Sequence, residues 1–262
     1  MIENFGFEIL GIQIFLILII LAFFCELIDS TLGMGYGTTL TPVLMLFGFG
    51  PLAIVPCVLL SELITGVTAG LAHHKAGNVN FNHGSIHLKI AIVLATCSFI
   101  GATLAVFIAI NIPKPWLNTY IGLMVLGMGV LILLTFNKDF RFSWKKIIGL
   151  GSIAAFNKGM SGGGYGPVVT SGQILSGVKG KNAVGITSLA EGLTCIVGVI
   201  IFVVSPEAID WGLAPSLIIG ALLSVPFCTF IVKKISTKIL KISIGTLTLI
   251  LGVVTIIKVF YF

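Results

Sequence analysis

Apolar runs of roughly 20 residues, each about the length of a bilayer-spanning helix, follow one another through this 262-residue chain and leave no stretch over for a soluble domain. In lipid the backbone must satisfy its own N–H and C=O groups, so runs of this length fold as helices. Composition agrees: 57% of residues are apolar and 9% charged, with a mean hydropathy of +1.15, which excludes a water-soluble core-and-surface arrangement. Glu3 and Glu8 precede the first run with no basic stretch or small-residue cleavage site, so that run is expected to stay in the mature protein. Cys25, Cys57, Cys97, Cys195 and Cys228 all lie in apolar segments without CxxC spacing and read as small core residues, neither a disulfide frame nor a metal site.

The runs cover 9–32, 38–47, 52–72, 88–110, 116–136, 144–157, 167–176, 182–204, 212–232 and 239–261. Six are long enough to span: 52–72, 88–110, 116–136, 182–204, 212–232 and 239–261. The segments 38–47, 144–157 and 167–176 are too short and fall in the range of re-entrant or broken helices; 9–32 could span alone or be half of a hairpin. Charge sets the threading. Lys138, Arg141, Lys145 and Lys146 precede 144–176, and Lys179 and Lys181 follow it, so both flanks carry the cytoplasmic signature and the segment predicts a re-entrant hairpin. Extending that threading puts both termini outside. Of the fifteen Lys and Arg, it places all but Lys114, Lys258 and Lys158 on the cytoplasmic side.

Within this pattern stand two glycine-dense breaks, Gly33-Met34-Gly35-Tyr36-Gly37 and Gly162-Gly163-Gly164-Tyr165-Gly166, at a constant register that also matches Thr41 with Thr170 and Glu62 with Glu191. Later in each half, Gly122 and Gly129 match Gly245 and Gly252. The expected fold is therefore an all-α polytopic membrane protein of two inverted repeats, 1–137 and 138–262. Each repeat is a broken or re-entrant helix pair plus three transmembrane helices, the plan of many secondary carriers.

A break in a membrane helix exposes backbone groups that must be buried in protein or face a water-filled cavity. Glycines let consecutive N–H groups converge, and the half-helix that follows points its positive dipole end at the break. The reading is an anion site formed by Gly33, Gly35, Tyr36, Gly37 and Thr38, with Thr38 and Thr39 as N-caps, and by Gly162, Gly163, Gly164, Tyr165 and Gly166, with Pro167 in the first turn. The alternative is that these glycines only permit close helix packing. Lys158 stands beside the second break, and with Asn157 and Ser161 it is expected to bind the anion, or else to pair with Asp29 at the matching position of the first half. Glu62 and Glu191 fall at the centres of their segments. With Asp29 and Glu26 they are candidate proton sites, or else caps for backbone N–H groups at the breaks. Tyr36 and Tyr165 can donate to an oxyanion, act as gates or simply fill the tips. The cluster His73, His74, His83 and His87 reads as a solvated cytoplasmic loop, since its spacing fits no common zinc pattern.

Together with these breaks, the loop His74-Lys75-Ala76-Gly77-Asn78-Val79-Asn80 and the loop Ala208-Ile209-Asp210-Trp211 resemble the TauE/SafE family of sulfite exporters, also called 4-toluene sulfonate uptake permeases. Asn80 and Phe81 stand where that family commonly has an acidic residue and Trp. The resemblance covers essentially the whole chain. It implies a multi-pass carrier in a prokaryotic inner membrane for sulfur-containing anions such as sulfite, thiosulfate, sulfoacetate or organosulfonates. The expected partners are the anion, the lipid bilayer and protons as coupling ion, with no cofactor, metal or nucleic acid; a homodimer is compatible. No HExxH motif occurs and no enzyme is expected; a channel-like anion pathway or an importer of another organic anion is the alternative.

Overall fold

The computed structural model of the chain describes residues 6–9, 12–47, 49, 51–109, 123, 126–134, 137, 141–161, 165–204 and 209–261. It is helical almost throughout. The helices are α1 Leu16–Leu32, α2 Tyr36–Leu46, α3 Pro51–Lys75, α4 Ile86–Ala109, α5 over 126–134, α6 Trp144–Ser161, α7 Tyr165–Leu175, α8 Gly180–Val204, α9 Ala214–Lys234 and α10 Thr237–Tyr261. Among the described residues, the stretches Ala53–Lys75, Gly180–Ile200 and Ala214–Lys234 are long and apolar enough to cross a membrane.

The first apolar run departs from expectation. Its start is an antiparallel hairpin, β1 Gly6–Ile9 with β2 Ile12–Phe15, Gly6 facing Phe15. Alternating Ile12, Gln13 and Ile14 suit a strand better than a helix. The Phe15 N–H donates to Ser216 Oγ (3.0 Å), tying the hairpin to the start of α9. What remains, α1, has 17 residues, about 25 Å, and falls short of the ~30 Å hydrocarbon core. The helix α6 is longer than the expected 144–157, because Lys158 to Ser161 continue it.

The short pair α6–α7 is a hairpin that starts and ends on one face. Ser143 N–H donates to Ser176 C=O (3.1 Å), and Lys146 Nζ reaches Leu175 C=O (3.4 Å). Similar ties sort the other loops. On this face the α3–α4 loop meets the end of α9 through Asn78 and Thr229, and Lys181 Nζ donates to Lys233 C=O. On the other face Cys57 Sγ meets Asp210 C=O (3.4 Å), and the N-terminal hairpin meets Ser216. Every Lys or Arg side chain that is described belongs to the first face, which is called the basic face below. Trp144 at the basic face and Trp211 at the other are both exposed, as interfacial aromatic residues are. Between them α1 exposes Leu16, Ile20, Phe24 and Ile28 at four-residue spacing and turns Leu18, Ala22, Glu26 and Asp29 inward. That is a lipid-facing stripe with a polar interior behind it.

Glycines set the helix approaches, and they do so reciprocally. A Cβ on Gly129 of α5 would lie 2.5 Å from Leu249 N of α10, and one on Gly252 of α10 would lie 2.5 Å from Leu126 N of α5. Residues matched in the sequence thus swap partners. The helices α3 and α8 cross antiparallel where a Cβ on Gly66 would lie 2.8 Å from Gly192 N, and one on Gly192 2.7 Å from Val67 N. At each point the neighbour is backbone, which cannot yield. Gly129→Ala and Gly252→Ala are therefore expected to cost about 1–3 kcal/mol each through overpacking, read as a lowered melting temperature in detergent. Gly127→Ala, where an added Cβ meets nothing within 4 Å, should leave the melting temperature unchanged.

Candidate functional site

The helix α1 ends at Gly33, whose φ of +69° is left-handed, a conformation glycine adopts without strain. A side chain there would also overlap Thr170 of α7. Gly33 N–H donates to Asp29 C=O (2.5 Å), and Gly35 N–H donates to the Asp29 carboxylate at Oδ1 (2.6 Å). The two carbonyls are engaged as well. Gly33 C=O accepts from Thr170 Oγ1 (3.0 Å), and Gly35 C=O from Thr39 Oγ1 (3.3 Å). The first break is thus closed on its own protein, with a carboxylate standing where a bound anion would receive an amide. Tyr36 and Gly37 open α2, so the helix begins before Thr38, and the expected Thr38 cap is replaced by its place inside the first turn. The Thr38 side chain lies outside the described residues. Tyr36 is fully buried, and its Oη accepts from Ser61 Oγ (3.3 Å).

Gly162, Gly163 and Gly164 lie outside the described residues, as do the side chains of Asn157, Lys158 and Ser161 in the last turns of α6. Tyr165 and Gly166 begin α7, whose residues are buried from Tyr165 through Ile174. A Cβ on Gly166 would run into Gly35 N, so the start of α7 abuts the first break directly. A polar chain reinforces that junction. Gln173 Nε2 donates to Thr187 Oγ1 (2.8 Å), and Thr187 lies 2.9 Å from Thr170 Oγ1. Because Thr170 spends its single proton on Gly33 C=O, Thr187 is the donor between the two hydroxyls. Three buried polar atoms, Thr31 Oγ1, Ser171 Oγ and Gln173 Oε1, have no hydrogen-bond partner among the described residues.

The carboxylates converge. Asp29 of α1, Glu62 of α3 and Glu191 of α8 are all buried, and one oxygen from each lies within 4.8 Å of the others. Glu62 and Glu191 stand near the middle of two 25-residue helices and meet because α3 and α8 cross there. Cys195 Sγ lies 3.4 Å from Glu62 Oε2. Glu26 joins from one turn earlier on α1. It accepts from Ser30 Oγ (2.5 Å), and Thr65 Oγ1, whose proton goes to Ser61 C=O (2.8 Å), lies 3.4 Å from Oε2. Two unit charges 4.8 Å apart repel by about 3.5 kcal/mol even at an effective dielectric constant of about 20, so three would repel by about 10 kcal/mol. Three ionised carboxylates at this spacing call for relief of that repulsion, by a proton, a cationic side chain or a small cation.

The histidines divide. His74 and His87 are half-buried and His83 is exposed, as a loop reading expects, but His73 is fully buried. The solvated-loop expectation is wrong for that residue. It closes α3 and donates from Nε2 to Ser30 C=O (2.9 Å), while Nδ1 accepts from Asn78 Nδ2 (3.0 Å). A histidine at the end of an apolar run is not marked as buried by sequence alone, because its burial depends on α1 passing behind it. Also unanticipated were Gln173 and Thr187. Gln173 carried a readable signal, a carboxamide inside a short apolar segment; Thr187 did not.

Comparison with known proteins agrees with this architecture. A family model described as Sulfite exporter TauE/SafE matches residues 18–255. The chain is 30% identical over 245 residues to "Probable membrane transporter protein YtnM" of Bacillus subtilis (strain 168), covering 89% of this chain and 79% of that protein. The match spans the breaks, the carboxylate helices and the last helix, and the chain is a member of the TauE/SafE sulfite exporter family of membrane transporters.

Proposed function

We propose that this transporter is a secondary carrier that moves a small sulfur oxyanion or sulfonate, such as sulfite, thiosulfate or sulfoacetate, together with a proton. The carrier works by alternating access between two inverted repeats, 1–137 and 138–262. The observation that carries the proposal is the Asp29 carboxylate, bound to Gly35 N–H at the break while facing Glu62 and Glu191. An ionised Asp29 occupies the amide that an anion would use. Once protonated, it is a weaker acceptor, the trio loses negative charge, and Gly35 N–H is released to a substrate oxygen. Proton and anion then bind together. Lys158, Asn157 and Ser161, with the second break Gly162–Gly166, are the proposed ligands on the opposite side of the anion, with Lys158 supplying the counter-charge that an apolar segment otherwise lacks.

The repeat supports alternating access. Matched helices α3 and α8 cross antiparallel, and Gly129 and Gly252 exchange matched partners, which is the contact pattern of a two-fold relation. The basic face faces the cytoplasm by the positive-inside rule, so both termini lie outside a prokaryotic inner membrane. The family's description as an exporter favours outward movement; with a co-moved proton, the sum of the anion and proton gradients sets the direction.

Asp29→Asn mimics the protonated state, so anion affinity should lose the pH dependence of the unaltered protein, which binds more tightly as pH falls. A pH dependence as steep as that of the unaltered protein would remove Asp29 from the coupling. Glu191→Gln and Glu62→Gln should each flatten the pH profile of uptake into liposomes. Lys158→Ala is expected to weaken anion binding at least about a hundredfold, the loss of a buried charge-assisted partner. Calorimetric titration with sulfite, thiosulfate and sulfoacetate checks it, and unchanged affinity for all three would remove Lys158 from the site.

A further inference from the structure

The α3–α4 loop lies at the basic face, beyond the carboxylates, and one of its residues is wired to three helices. Asn78 is buried. Its Nδ2 donates both hydrogens, one to His73 Nδ1 of α3 (3.0 Å) and one to Thr229 C=O of α9 (2.9 Å). Its N–H donates to His73 C=O (2.9 Å), and its C=O accepts from Asn182 Nδ2 of α8 (2.8 Å). The next residue, Val79, is also buried and sits against Gly185 of α8, where an added Cβ would lie 2.8 Å from Val79 Cγ1. Gly77, at φ +79°, makes the turn that brings the pair inward. Through His73 the same unit reaches Ser30 C=O, and Ser30 holds Glu26.

This wiring exceeds what a surface loop needs. A turn between two helices is completed by backbone bonds and solvent, yet here a side chain is withdrawn from water to bridge α3 of the first half to α8 and α9 of the second. Those are the elements that must part if the carboxylates are to open toward the basic face. On the solvent side, a cavity of about 360 Å³ lined by His87, Phe142, Lys179 and Asn182, among others, already reaches Asn182. The same Asn182 is therefore both a wall of the open cavity and a partner of the latch.

We infer that Asn78 and Val79 form the gate on the basic face, with Asn78 as its latch and Asn182 and Thr229 as its two catches. In the closed arrangement Val79 fills the space at Gly185, and the three helix ends are pinned. Opening breaks the Asn78 bonds to Thr229 and Asn182 together, withdraws Val79 and connects the cavity to the carboxylates. The inference rests on the carrier reading but is tested without transport.

Cys228 is a native reporter: it is fully buried, adjacent to Thr229, and its Sγ is within reach of Ser30. Labelling of Cys228 by a membrane-impermeant maleimide, read by peptide mass spectrometry, is measured in vesicles of each orientation for the unaltered protein, Asn78→Ala and Asn182→Ala. Asn182→Ala leaves the buried His73–Asn78 pair in place, so it remains informative where Asn78→Ala fails to fold. The gate predicts labelling about tenfold faster in the variants, from the basic face alone. Unchanged labelling in folded Asn182→Ala overturns the inference, as does labelling that rises from both faces, which would mean general loosening. Absence of anion flux with faster one-sided labelling would sink the carrier reading and leave the gate standing.

Discussion

The Asp29 carboxylate is the point on which the interior depends. It ends α1 by accepting Gly35 N–H, and its backbone carbonyl accepts Gly33 N–H. The break would otherwise leave both donors unpaired in an apolar interior, at a cost of several kcal/mol each. On its other side it stands within 4.8 Å of Glu62 and Glu191. One group therefore satisfies the break and loads the trio with repulsion. Helix crossing makes this unavoidable: α3 and α8 approach closely enough, through Gly66 and Gly192, that residues at their midpoints meet beside the end of α1.

The second half supplies the complementary hold. Thr170 reaches from the buried helix α7 to Gly33 C=O, and Thr187 and Gln173 orient its hydroxyl. The first break is thus braced by its own α1 through Asp29 and by the other half through Thr170. A change of protonation at Asp29 acts on one brace and leaves the other. This is the kind of small local change that two packed halves can convert into relative movement, with the buried loop at Asn78 and Val79 holding the basic face shut until the helices part.

Much of this was legible in the sequence, for physical reasons. Apolar length gave the helices, because lipid allows few alternatives. Loop charge gave the hairpin, and the Ser143–Ser176 bond now closes it. The register that paired Glu62 with Glu191 predicted two central carboxylates. It gave no sign that they would lie beside Asp29, because that depends on crossing geometry, which no periodicity encodes. The strand start of the first run was hidden because hydropathy averages over the alternation of Ile12, Gln13 and Ile14 that suits a strand. His73 and Asn78 were read as loop because burial of polar residues is decided by partners distant in the chain, here Ser30 and Thr229.

Proton exchange on anion binding tests the central claim most directly. Purified protein in weak buffer near neutral pH is mixed with sulfite, thiosulfate or sulfoacetate while a pH indicator follows the solution, with each anion solution adjusted beforehand to the same pH. Because binding of anion and proton must favour each other reciprocally, the account predicts uptake of up to about one proton per anion bound, abolished in Asp29→Asn. Anion binding with no proton uptake, or uptake that persists undiminished in Asp29→Asn, would contradict it.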